Sequence, residues 1–301
     1  MRCGRLRQCG RLTGLNSEFR SGGVCLTNEI KNLRLAVLID AENVPHNSMK
    51  AILEEAAIYG TPTIKRIYGD WTSPNVGAWK ASLLENAVTP IQQYSYTTGK
   101  NSTDSAMIID AMDILYAGKT DGFCIVSSDS DFTRLAIRLR EAGMKVIGIG
   151  EQKTPVAFRV ACDKFIYIEV IRAASQSREK DEQTVRQEKN KVKRKTAVKP
   201  SVRPEQPESV HPESVHKEAS VPEEVVRLIV ESVSDIADED GFAFMGDLGN
   251  LLLKKQPDFD PRNFGFMKLT PLIRSIGRFE IDARATDSSK IHHIYLRDKE
   301  A

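Results

Sequence analysis

No Cys-x-x-Cys pair occurs in these 301 residues, and the five cysteines, Cys3, Cys9, Cys25, Cys124 and Cys162, make an odd number. That spacing argues against a cysteine zinc site, and the odd count argues against a disulfide framework. A reducing, cytoplasmic setting is the expectation. Cys124 lies in the apolar run Phe123–Val126 and is expected to act as a small buried hydrophobe. Long apolar runs are also missing. Nothing approaches the ~18 residues that would suggest a membrane span. The N-terminal stretch is basic but lacks the apolar centre of a signal peptide. Its arginines faintly resemble an organelle transit peptide, and a disordered leader over residues 1–32, or a start placed too far upstream, is preferred. Met49 lies beyond the first expected strand, so it is not expected to be the start of an intact domain.

A net charge of +2 says little, because the charge is local. Arg2–Arg11 holds four arginines and no acid, and Arg186–Lys199 holds seven basic residues against Glu188. Such clusters suit a phosphate backbone, and they equally suit a solvated tail and linker. An apolar fraction of 41% and a charged fraction of 28% are ordinary for a globular chain with room for two domains.

Four stretches follow from the patterning: the leader (1–32), an α/β region (33–170), a polar linker (171–220) and a second patterned region (221–299). In the α/β region the apolar run Leu35–Ile39 reads as a strand buried on both faces. Strand-like pieces recur at Thr63–Tyr68, Pro90–Tyr94, Phe123–Ser127, Lys145–Ile149 and Phe165–Ile168. Between them lie helical patterns at Ser48–Tyr59, Val76–Asn86, Thr103–Tyr116, Phe132–Glu141 and Pro155–Ala161. This alternation predicts a Rossmann-like parallel sheet with helices on both faces. The linker repeats Pro207-Glu-Ser-Val-His211 as Pro212-Glu-Ser-Val-His216. Two polar copies read as a disordered tether, and two histidines on it lack the ordered co-ligands a metal needs. The last region opens on a helix behind Pro222, with Glu223 and Glu224 in its first turn. Helical patterns follow at Phe244–Lys254 and Asn263–Ser275, then strand-like pieces at Arg278–Asp282 and Ile291–Leu296. Three helices and a terminal hairpin suggest a small winged-helix α+β domain.

Open parallel sheets bind ligands at the carboxyl ends of their strands. Asp40 directly follows Leu35–Ile39, and Asp129 and Asp131 follow Phe123–Val126 in the same way. Asp104 stands in the first turn of the long helix. One Asp at a helix start is more often an N-cap than a ligand, but three separate segments here deliver acids to one predicted edge. Four carboxylates together repel unless a counter-ion joins them, and Mg²⁺ or Mn²⁺ is the usual hard cation for oxygen ligands. Such a cation can promote direct attack of water on a phosphodiester. No nucleophile-plus-His pair stands nearby to favour a covalent route. Asp110 and Asp113 share a helix with Asp104 but point away from it at 100° per residue, which leaves Asp110 a supporting place at most. Asn43 is expected to hold Asp40 or a phosphate oxygen. Lys100 would neutralise carboxylates or grip phosphate, or simply stand exposed in its loop.

Together these stretches resemble the NYN domain, a branch of the PIN-like nucleases. The matching segments are Val37-Leu-Ile-Asp40-Ala-Glu-Asn43, Lys100-Asn-Ser-Thr-Asp104, Ile109-Asp-Ala-Met-Asp113 and Val126-Ser-Ser-Asp-Ser-Asp131-Phe132. Gly150-Glu-Gln-Lys-Thr-Pro155, followed by Ala157-Phe158, also looks like bacterial members. The resemblance implies a metal-dependent ribonuclease role for Asp40, Asp104, Asp129 and Asp131. It implies supporting roles for Asn43 and, more loosely, Lys100, Ser128 and Asp110. Residues 221–299 look like an OST-HTH or LOTUS winged helix, carried by Gly241-Phe-Ala-Phe-Met-Gly-Asp-Leu-Gly249, Phe264–Phe279 and the hairpin ending in Tyr295. That implies RNA binding or a protein-partner surface. The expectation is a Mg²⁺- or Mn²⁺-dependent endoribonuclease, with DNA left open as a substrate. A non-catalytic RNA-binding adaptor is the alternative, and a phosphotransfer or phosphatase domain ranks behind both. Oligomeric state is not legible.

Overall fold

The computed structural model describes residues 33–72, 77–94, 102–176, 221–285 and 292–300. The expected leader, most of the expected linker with His211 and His216, and Lys100 lie outside the described residues. The N-terminal part forms six parallel strands: β1 (Arg34–Asp40), β2 (Thr61–Gly69), β3 (Thr89–Gln92), β4 (Gly122–Val126), β5 (Lys145–Gly150) and β6 (Lys164–Tyr167). They lie in the order β3-β2-β1-β4-β5-β6. The connecting helices are α1 (Met49–Tyr59), α2 (Gly77–Asn86), α3 (Ser102–Ala117), α4 (Thr133–Glu141) and α5 (Val156–Ala161). A further helix, α6, covers residues 168–176. It reaches six residues into the stretch expected to be linker, and its Ile171 is buried in the core.

Strand alternation divides the β1 side chains between two cores. Leu35, Val37 and Ile39 pack with Met49 and Ile52 of α1 on one face. Ala36 and Leu38 pack with Met107, Phe132 and Phe158 on the other. Both sets are fully buried, as the unbroken apolar run requires. Cys124 is buried among the first set. Among the described residues no helix is long and apolar enough to cross a membrane.

The C-terminal part packs α7 (Glu223–Ile236), α8 (Met245–Lys255) and α9 (Leu269–Ile276) on an antiparallel sheet. That sheet has the order β7-β9-β8, from β7 (Phe242–Phe244), β8 (Phe279–Ala285) and β9 (His292–Asp298). Ile229, Leu248, Leu252, Leu272, Ile273 and Leu296 form its core. Two local expectations are corrected here. Phe244 does not open a helix but closes a short strand, because Phe242 and Phe244 project from one side while Ala243 alone is buried on the other. The single helix expected over Asn263–Ser275 is split. A 3-10 turn, Pro261–Phe264, ends on Gly265 at φ +82, and the chain becomes helical again only at Leu269. A residue in the left-handed region cannot continue a right-handed helix, so the glycine stops it.

One glycine contact shapes the edge of the large sheet at which Asp40 ends β1. A Cβ on Gly150, at the end of β5, would stand 2.6 Å from the Ser127 carbonyl oxygen, 2.8 Å from Thr154 Oγ1 and 2.9 Å from the Phe165 ring. Gly150→Ala must therefore shift the turn that follows β4, where part of the acidic site sits. Overpacking of this kind costs about 1–3 kcal/mol. Urea unfolding of the variant is expected to show a lower midpoint, and an unchanged midpoint would count against the close contact.

Candidate metal centre

β1 and β4 are neighbours, with Ile39 opposite Val126, yet the chain leaves them toward opposite flanks of the sheet. This is the switch point at which strand ends open into a crevice. Asp40 is the last residue of β1 and is 1% exposed. Its Oδ1 accepts the Glu42 backbone N–H at 2.9 Å, and its Oδ2 accepts the Asn43 amide at 2.6 Å and the Ser127 hydroxyl at 2.9 Å. Three donors of this kind are what a buried carboxylate needs to stay satisfied.

Ser127, fully buried just past β4, also accepts the backbone N–H of Asp129 at 3.1 Å. Its hydroxyl therefore ties the end of β1 to the turn after β4. Asp129 in turn caps the 3-10 turn Ser130–Phe132, its Oδ1 accepting the Asp131 N–H at 2.9 Å. Phe132 is wholly buried and anchors that turn in the core. On the other side Asp104 lies in the first turn of α3. The preceding residue, Thr103, is buried and donates its hydroxyl to Glu42 Oε1 at 3.0 Å. That bond ties the start of α3 to the loop after β1.

Asp104, Asp129 and Asp131 each offer a carboxylate oxygen, and these atoms lie within 4.8 Å of one another. Asp40 is outside this trio, but its charge reaches Asp104. Burial pushes the Asp104 carboxyl up to about 7, helped by repulsion from Asp40, Asp129, Glu42 and Asp131 in that order. Carboxylate oxygens gathered at this spacing match the chemistry of a hard divalent cation.

The remaining expected site residues lie as follows. Asn43 donates to Asp40. The Ser128 hydroxyl accepts the Glu151 N–H at 2.9 Å, holding the loop after β5. Asp110 is bonded to Arg66 and to the Tyr68 hydroxyl of β2, which clamps α3 onto the sheet, and Asp113 is exposed. Sequence reasoning missed Ser127 and Glu42. Ser127 and Ser128 are adjacent and chemically identical in the sequence, so nothing local marks which one faces Asp40. Nothing near Glu42 in the sequence marks it, because its partner, Thr103, is 61 positions away.

Residues 34–169 match the family model described as NYN domain, and residues 219–291 match that described as OST-HTH/LOTUS domain. Among solved structures, one similar chain is a protein of unknown function from Vibrio parahaemolyticus. It is 19% identical over 46% of this chain and 93% of that one, with a TM-score of 0.40. Another is an uncharacterized protein from Nitrosomonas europaea, 29% identical over 32% of this chain and 92% of that one, with a TM-score of 0.25. No curated protein matches the chain.

Proposed function

We propose that this chain, a NYN domain of the PIN-like nuclease group followed by an OST-HTH/LOTUS domain, is a divalent-cation-dependent endoribonuclease. The observation that carries the reading is the meeting of Asp104, Asp129 and Asp131 carboxylates within 4.8 Å. The two domain types support a nuclease that binds RNA. The cation, the substrate and the residue roles are our own reading.

Asp104, Asp129 and Asp131 would hold Mg²⁺ or Mn²⁺, and Asp40, whose charge acts on Asp104, would complete the acidic set. A cation there would supply electrostatic stabilisation of the charge that builds on a phosphodiester during attack by water. The protein's part is to fix the ligands in advance. Ser127 holds Asp40 and the Asp129 backbone together, and Asn43 keeps the Asp40 carboxylate oriented. Ser128 braces the adjoining loop through Glu151. Lys100, four residues before Asp104 in sequence, would meet the phosphate. The OST-HTH domain is the reason to expect RNA rather than DNA.

The test is cleavage of a mixed pool of labelled RNA and DNA by the purified chain with Mn²⁺, Mg²⁺ or EDTA. RNA fragments should accumulate with either metal and stop with EDTA. An uncut pool under both metals would overturn the catalytic reading. If wild type and Asp40→Asn also bound RNA equally, the chain would instead be a non-catalytic RNA-binding adaptor.

A further inference from the structure

The two domains meet at the Pro257–Arg262 segment, and the contact is built from buried charge. β6 is an edge strand of the large sheet, and an edge leaves backbone groups in need of partners. Here the Phe165 N–H of β6 donates to the Pro257 carbonyl, at 2.9 Å, from the turn that follows α8. Next to it, Asp258 accepts from the Tyr167 hydroxyl at 2.7 Å and from the Arg159 guanidinium. On the flank of α1, Glu55 is only 7% exposed, and both its oxygens are gripped by Arg262, at 2.6 and 2.9 Å. Arg262 is held in turn by Asp260, itself 5% exposed, at 2.8 Å. Lys164 of β6 completes the set, 3.8 Å from Asp260 and 5.3 Å from the centre of the Tyr59 ring.

These contacts are directional rather than merely sticky. A two-pronged guanidinium–carboxylate pair accepts one relative orientation, and a backbone bond to an edge strand accepts one register. Buried ion pairs add little net stability compared with apolar packing, but they penalise every arrangement that leaves one charge unpaired. Domains joined by a linker ordinarily move relative to one another. Glu55 and Asp260 are both buried, and Arg262 bonds both of them, reaching Glu55 across the contact, so this pair of domains has a preferred seat.

We propose that the Pro257–Arg262 segment docks the C-terminal domain rigidly on β6 and α1, so that RNA held by that domain reaches the acidic cluster from a fixed direction. The second half of this statement rests on the ribonuclease reading, and the first does not. In the full chain, ¹⁵N relaxation should give one rotational correlation time shared by β1–β6 and β7–β9. Arg262→Ala/Asp258→Ala should give the C-terminal domain its own shorter time. Glu55→Ala/Arg159→Ala, which alters only the other side of the contact, should do the same. Two times in the wild type, or one time in both double variants, would overturn the dock. With a 5′-labelled single-stranded RNA of defined sequence, the wild type should cut at a narrow set of positions and both double variants at a broader set. Equally narrow cutting by undocked variants would overturn the fixed approach. If no RNA is cut by any form, the ribonuclease reading fails while the relaxation data still decide the dock.

Discussion

Asp129→Asn is expected to lower the single-turnover rate of RNA cleavage in Mn²⁺ by at least about 100-fold, the scale on which removing one preorganised charge-stabilising group acts. The substitution is chosen because it separates charge from structure. Asp129 has two tasks: its Oδ1 caps the turn Ser130–Phe132, and its charge belongs to the acidic trio. Asparagine caps about as well as aspartate, so the turn and the buried Phe132 behind it should stay in place. The Ser127 hydroxyl bonds the backbone N–H of residue 129, which the substitution does not touch. What is lost is one negative oxygen ligand. Asp113→Asn is the control, an exposed carboxylate on the same helix as Asp104 that should cleave like wild type. If Asp129→Asn kept most of the wild-type rate, the trio would not be the reacting centre.

Asp104→Asn should raise the thermal stability of the cation-free protein at pH 8, although it removes a group at the heart of the site. The folded carboxyl is pushed up to about 7 from its ordinary 3.8, first by burial and then by the acids around it. A raised value means the folded state binds this proton more tightly than the unfolded chain does. The resulting stability is complete below about pH 4 and is lost as pH rises through about 7. At pH 8 the wild type therefore carries a repulsive charge that the asparagine variant lacks. Asp104 is only partly shielded from water, so an advantage of about 1 kcal/mol is a fair scale, or about 2 °C for a chain of this length. At pH 5 the two proteins should melt close together. Adding Mg²⁺ or Mn²⁺ should invert the order. A ligand at 100 times its dissociation constant stabilises by about 2.7 kcal/mol, and the variant should lose most of that gain. Scanning calorimetry at the two pH values, with and without cation, reads all four conditions. A wild type that is the more stable form at pH 8 without cation, or whose melting ignores both cations, would remove the argument for a cation at this site.

Local pattern was sufficient for much of this fold. An apolar run such as Leu35–Ile39 can be accommodated only between two helical layers, and it leads directly to Asp40 at a strand end. The run Phe123–Val126 does the same for Asp129 and Asp131. The order of helices and strands in the large sheet also followed from the alternation of periods. The elements read least well lie in the C-terminal domain, where segments are short. Three residues, Phe242–Phe244, are too few to display a period, and one glycine at φ +82 divides what composition alone presents as a continuous helix.

Other features depended on the chain coming together. Sequence placed Asp104 in a first helical turn, but only the packing of α3 beside β1 and β4 brought its oxygen to those of Asp129 and Asp131 and raised its proton affinity. The choice of Ser127 over Ser128 as the link to Asp40 was likewise tertiary, since both follow the same strand. Glu55 looked like any helical glutamate until Arg262, 207 positions later, covered it. Burial patterns and strand ends are properties of neighbours in the chain, and so they are written in the sequence. Proton affinity, hydrogen-bond partnership and docking are properties of neighbours in space, and no local pattern carries them.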